Sequence, residues 1–233
     1  MQTTSQRIQH YLFTSNLDHL ISESAQIETA IHAFVAALGN LPPDFNLDTL
    51  YTYKVPMLSE DGTCSLIEEL APAPYDIAPI LSGRSDANTR KLLLLNQLVE
   101  HATQLTGADW LGIYQARKNK LGDPVLVKLA YRGRPSRAEF PLNEAFAKGS
   151  TNSAVGLSGH AKVIDDVAAH TAAGGAFYVC DDEVQSEMCV PLLDEGGKVL
   201  GIIDAEAAPK AFFNNNRMIL VVAMALVVPA LLP

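Results

Sequence analysis

Two of the chain's three cysteines, Cys180 and Cys189, lie in the stretch YVCDDEVQSEMCVPLL, residues 178–193. Four acidic side chains accompany them: Asp181, Asp182, Glu183 and Glu187. The combination is chemically awkward. A thiol acts as a nucleophile only once ionised, and nearby carboxylates make ionisation harder. The stretch is therefore either a structural cysteine among acids or a site that uses sulfur and carboxyl groups together.

The segment that follows bears on this choice. SEMCVPLLDEGGKVLGIIDAEA has the turn residues DEGG between two apolar runs and reads as a β-hairpin. Alternate residues of a strand share a face, which puts Asp204 and Glu206 together. With Asp194–Gly197 as the loop, Leu193 pairs with Lys198 and Glu187 falls opposite Asp204. The same face carries Cys189 and Ile202. Like charges directly opposite on a sheet are destabilising by up to ~1 kcal/mol. An exposed acidic patch would tolerate that. The mixed apolar and acidic character points instead to a pocket floor, where burial and like charge keep at least one carboxyl protonated. A protonated carboxyl is a hydrogen-bond donor. A cysteine beside one suits a reaction in which sulfur attacks while an oxygen takes up a proton, as in reduction of a sulfoxide.

Secondary-structure elements must hold these groups. Leu17, Leu20, Ile21, Ile27, Ile31, Phe34, Val35 and Leu38 recur at spacings of three and four, predicting an amphipathic helix over 16–38 with Gly39 as its stop. Residues 40–84 carry proline and glycine punctuation and no clear long element. A second helix starts at Ser85 or Asp86 and ends at Gly107. Strand-like runs follow at DWLGIYQA, PVLVKLAY, SEMCVPLL and KVLGIIDAEA. NSAVGLSGHAKV between them reads as a short helix, and a last helix fills 214–229. This order predicts an α+β fold: an antiparallel sheet with helices on one side, residues 1–85 as a helical and irregular extension, and residues 86–233 as the main domain. Residues 218–229 are almost wholly apolar, and covering such a helix on several sides predicts a homodimer built by the terminal helices.

Five stretches in order resemble a GAF domain, and within it the free methionine-(R)-sulfoxide reductases: DWLGIY, YRGRPSRAEFPL, VGLSGHA, YVCDDEVQSEMCVPL and GIIDAEA. The resemblance covers residue 86 to the end and implies a GAF-like, PAS-related sheet. It makes Cys180 the cysteine that attacks the sulfoxide. Glu187, Asp204 and Glu206 become the acids around the sulfoxide oxygen and substrate ammonium, with Glu206 standing where the family usually has Asp. Trp110, Tyr114 and Asp181 become pocket residues. Cys189 takes an aliphatic position and reads as a core cysteine. The family's two recycling cysteines are replaced, one by Ser158 and the other by Ser136 or Arg137. Resolution of Cys180 would then fall to Cys64, Cys189 or an external thiol, with thioredoxin as the family's reductant. The alternatives are a GAF module that binds a small amino-acid-like ligand without turnover, and one that mainly supports dimerisation.

Composition narrows the rest. The formal net charge of -9 argues against a general nucleic-acid binder. Three cysteines are too few for a disulfide framework and suit a reducing, cytoplasmic setting. The most apolar run, MILVVAMALVVPALLP, is too short to span a membrane and contains Pro229. His160 and His170 have no neighbouring ligand set, so neither a metal nor a cofactor is expected. Arg132, Arg134 and Arg137 form a basic cluster that reads as a solvated loop or as a contact for a substrate carboxylate.

Overall fold

The computed structural model describes residues 3–39, 48–59 and 69–233. Helices α1 (Thr4–Thr14) and α2 (Ser24–Ala37) lead, followed by the short helix α3 (Asp48–Tyr51) and a two-stranded sheet, β1 (Thr52–Tyr53) with β2 (Tyr75–Asp76). Helix α4 (Asp86–Thr106) precedes β3 (Trp110–Lys118), β4 (Pro124–Arg132) and β5 (Glu139–Pro141). Then come α5 (Glu144–Ala147), α6 (Thr151–Ser158), β6 (Lys162–Ile164), α7 (Val167–Ala172), the hairpin β7 (Ser186–Leu193) and β8 (Val199–Ala207), and α8 (Asn215–Val227). The large sheet has the order β5-β4-β3-β8-β7-β6 and is antiparallel throughout. The α+β architecture is the one the sequence predicts.

Local chemistry fixes the ends of α4. The Ser85 hydroxyl accepts a hydrogen bond from the Asn88 amide at 3.1 Å, and Gly107 closes the helix with φ of 71°. One face of the sheet supplies Leu111, Ile113, Val127, Met188, Val190, Ile203 and Ala205 to a core shared with α1, α2, α4 and α8. Ile8, Leu12, Ile27 and Phe34 of the first two helices are fully buried in it. The Tyr11 hydroxyl donates to the Pro191 carbonyl of β7 at 2.9 Å, tying α1 to the sheet. Helix α8 packs on α2, α4 and β7, so the chain itself supplies the covering that the sequence reading gave to a second subunit. Among the described residues, no helix is long and apolar enough to cross a membrane.

Four sequence expectations need correction. The helix over 16–38 is broken: Asn16 is left-handed at φ 66°, a 3₁₀ turn spans Asp18–Glu23, and only 24–37 is α-helical. The helix over 152–163 stops at Ser158, because Gly159 adopts φ 70° as its cap and Lys162–Ile164 then joins the sheet edge. Helices do not lie on one side only, since α6 packs against β7 and β8 while sharing no part of the main core. The hairpin register also differs. Leu193 pairs with Val199, and Leu200 bulges out before Leu192 pairs with Gly201. The Asp194 carboxylate accepts amides of Gly196 and Lys198, which lengthens the loop. Two added residues shift the pairing by two, so Glu187 faces Glu206 and Cys189 faces Asp204. An even shift preserves the face, and the acids stay together.

Candidate functional site

The acids line the sheet face opposite the main core. Glu187 and Asp204 are buried, at 2% and 3% exposure, and Glu206 is half-buried. One carboxyl oxygen from each lies within 4.8 Å of the other two. Helix α6 opens against them: the Asn152 side-chain amide donates to Asp204 Oδ2 at 2.9 Å, and Ser150 caps the helix. Glu187 Oε2 and Asp204 Oδ1 are buried and accept from no N–H or hydroxyl among the described residues, and the two side chains bond each other once one of them is protonated. Sequence reading missed Asn152. Its only signal was its place in the first turn of a predicted helix.

Burial pushes Glu187 well above the usual carboxylate range, and the charges of Asp204 and Glu206 push it further. Asp204 is also raised by burial, up to about 6, with the Asn152 amide holding it down. Burial thus favours a proton shared by the pair, with Glu187 the more strongly raised of the two. Among the described residues, this is the one cluster of His, Cys, Asp or Glu close enough to share a metal ion. A neutral Glu187 weakens it as a cation site; His160 and His170 are not part of it.

The two described cysteines differ. Cys189 is fully buried, and desolvation followed by the charges of Asp204, Glu187 and Glu206 raises its pKa far above that of an ordinary thiol. Such a thiol is inert. Cys180 is half-buried, beyond α7 in the loop that leads to β7, within electrostatic reach of Tyr114. Cys64 lies outside the described residues. Ser158 is exposed at the end of α6, whereas Ser136 is buried with its hydroxyl 2.7 Å from Lys128 Nζ.

Trp110 and Tyr114 pack in one apolar cluster with Leu126, Phe140, Val155, Cys189 and Ile202. Two glycines make room for the indole. A Cβ on Gly112 would fall 2.9 Å from Trp110 Cζ3 and closer still to Cη2. A Cβ on Gly133, which has φ of 117°, would fall 2.5 Å from Cδ1. The ring thus lies flat on the sheet, stacked on Tyr131 with centroids 6.1 Å apart.

Residues 133–138 are pinned from beneath by three buried side chains. Trp110 Nε1 donates to the Arg134 carbonyl at 3.1 Å, Lys128 Nζ to the Ser136 carbonyl at 2.8 Å and the Tyr114 hydroxyl to the Arg137 carbonyl at 3.3 Å. This segment holds the Cys180 loop in turn. Arg134 pairs with Asp181 at 3.2 Å and Glu183 at 3.3 Å. Arg137 donates to the Tyr178 hydroxyl at 2.9 Å and lies over the rings of Phe146, Tyr178 and Phe140. Both arginines are thus engaged with the loop rather than simply solvated, and Asp181 is turned toward Arg134. A cavity of about 780 Å³ opens elsewhere, between α4, β4 and residues 49–53, away from the acids and Cys180.

Comparison with known proteins bears on the fold. The family model described as GAF domain matches residues 92–230. The type II free methionine-R-sulfoxide reductase from Thermoplasma acidophilum aligns with a TM-score of 0.53 at 20% identity, over 63% of this chain and 94% of that one. Free methionine-R-sulfoxide reductase from Neisseria meningitidis, in complex with its substrate, gives 0.50 at 20% identity, over 66% and 83%. A further GAF domain structure gives 0.50 at 18% identity, over 66% and 82%. At these identities the likeness concerns the fold. No curated protein matches the chain. Since the family model covers more than half of its length, the chain belongs to the GAF domain family.

Proposed function

We propose that the acid-lined face takes up a small amino-acid-like sulfoxide, free methionine-(R)-sulfoxide, and that Cys180 reduces it. The observation that carries this reading is the buried pair of Glu187 and Asp204, close enough to share a proton on the sheet face opposite the core, with burial raising both carboxyls. The Cys180 thiolate attacks the sulfoxide sulfur. Glu187 donates its proton to the departing oxygen, which ends on Cys180 as a sulfenic acid while the substrate leaves as the thioether. Asp204 and Glu206 receive the substrate ammonium, and Trp110 and Tyr114 wall the apolar part. A second thiol then attacks the sulfenic acid, forming a disulfide and releasing water. We assign that thiol to Cys64 or to an external reductant such as thioredoxin. This thiol chemistry suits a cytoplasmic setting. The proposal places the attack on the sulfoxide in residues 86–233, with 1–85 as an extension that supplies at most the resolving Cys64, and includes a homodimer, which light scattering at micromolar concentration checks.

The test is incubation with free methionine-(R)-sulfoxide and excess dithiothreitol, which bypasses the missing recycling cysteines. Methionine should appear, and Cys180→Ser should abolish it. A second reading, ligand binding without turnover, is favoured by Ser136 and Ser158, neither of which can form a disulfide. Wild-type protein that binds the sulfoxide but releases no methionine under dithiothreitol would decide for it.

A further inference from the structure

Arg134 already works as a carboxylate receptor, with the chain's own carboxylates in it. Its two terminal nitrogens hold Asp181 and Glu183 separately, at 3.2 and 3.3 Å. Its position is fixed from beneath, because its carbonyl takes the Trp110 Nε1 hydrogen bond at 3.1 Å. Trp110 is in turn the ladder partner of Glu206. The backbone of Arg134 is therefore separated from the half-buried Glu206 by one ring and one strand pair. The Arg134 pairs hold the loop that carries Cys180.

We propose that Arg134 recognises the α-carboxylate of the ligand, and that Asp181 and Glu183 occupy it in the empty state. This rests on the proposed function and adds to it the residue that selects a free amino acid. In such a ligand the ammonium and carboxylate share one carbon, so recognising both needs an acid and a base on one rim. Glu206 and Asp204 supply the acid side, and Arg134 supplies the base side in a planar, forked form suited to carboxylates. Entry of the ligand carboxylate exchanges one carboxylate for another on Arg134 and frees the acidic stretch that carries Cys180. A peptide-bound residue or a carboxamide cannot make this exchange.

The test uses Trp110, the chain's one tryptophan, as a fluorescent reporter beside the arginine. Wild-type protein is titrated with L-methionine-(R)-sulfoxide and with its carboxamide, which keeps the ammonium and the sulfoxide. Loss of one charge-assisted pair should weaken the carboxamide about tenfold. Arg134→Gln should bring the acid down to the level of the carboxamide and leave the carboxamide unchanged. Arg134→Lys should keep part of the discrimination. The double variant Asp181→Asn, Glu183→Gln empties the receptor and should raise the preference for the acid several-fold above wild type. That gain does not depend on the arginine variants folding. Equal binding of acid and carboxamide by wild type, or an equal loss of both in Arg134→Gln, overturns the assignment to Arg134 alone. Binding of neither compound overturns the ligand class, and the assignment falls with it.

Discussion

Asp204→Asn should make the protein more stable at alkaline pH. Asp204 is moved from its ordinary 3.8 up to about 6, chiefly by burial. The folded chain thus holds this proton more tightly than the unfolded chain does. The resulting stability is fully present below pH 3.8 and is lost as pH rises to about 6. At about 1.4 kcal/mol per unit, the loss at pH 8 amounts to about 3 kcal/mol. Asparagine is close in shape, carries no charge and can still accept the Asn152 hydrogen bond through its carbonyl oxygen. Urea unfolding of wild type and Asp204→Asn should therefore agree to within about 1 kcal/mol at pH 4, with the variant ahead by about 3 kcal/mol at pH 8. For a chain of this length, that gap is about 6–12 °C in Tm. A gap that does not vary with pH, or a variant less stable at pH 8, would refute the reasoning. It would mean that Asp204 carries its charge without strain, and that the acids are an ordinary polar patch.

Gly112→Ala should cost about 1–3 kcal/mol, because its Cβ must push the indole off the sheet and break the Trp110–Arg134 hydrogen bond; urea unfolding gives the loss, and a red shift of tryptophan emission shows the displaced ring. Cys189→Ser should destabilise by about 1–3 kcal/mol by burying a hydroxyl, yet retain dithiothreitol-supported turnover that Cys180→Ser lacks; loss of turnover in a folded Cys189→Ser would remove Cys180 as sole nucleophile. In a Cys64→Ser background, iodoacetamide should label Cys180 faster relative to a free thiol at ~1 M salt, where charges are screened within about 3 Å, because the Arg134 pairs hold the loop. Intact-mass analysis should find Cys189 unlabelled throughout, and a labelling rate indifferent to salt would discount the pairs.

Strand-face arithmetic located the acids without any knowledge of the register. Glu187, Cys189, Asp204 and Glu206 share a face whether the hairpin loop adds two residues or none, since parity alone decides. The pairing itself was not legible, because a bulge at Leu200 and an Asp194 side chain folded onto the loop amides set it. Capping residues gave α4 its ends, as the Ser85 and Gly107 geometry confirms. The 3₁₀ turn over Asp18–Glu23 escaped, since the apolar spacing from Leu17 onward reads the same through it and Leu17 and Leu20 are buried all the same. Arg134 and Arg137 were visible only as a basic cluster. Their hydrogen-bonding and ion-pair partners in the Cys180 loop, Asp181, Glu183 and Tyr178, lie 41 to 49 residues away in sequence, at a separation that no local pattern encodes.

Strands β7 and β8 are boundaries with a different occupant on each side. Glu187, Cys189, Asp204 and Glu206 look toward α6 and the Cys180 loop, while Met188, Val190, Ile203 and Ala205, one peptide away from each, sit in the core under α8 and α2. A strand is stiff across its own thickness, and a close-packed core yields little. A shift of these strands would therefore be felt as strain in the layer on the other side. That layer is made of helices drawn from both ends of the described chain, so one sheet ties the acid face to α1, α2 and α8 at once.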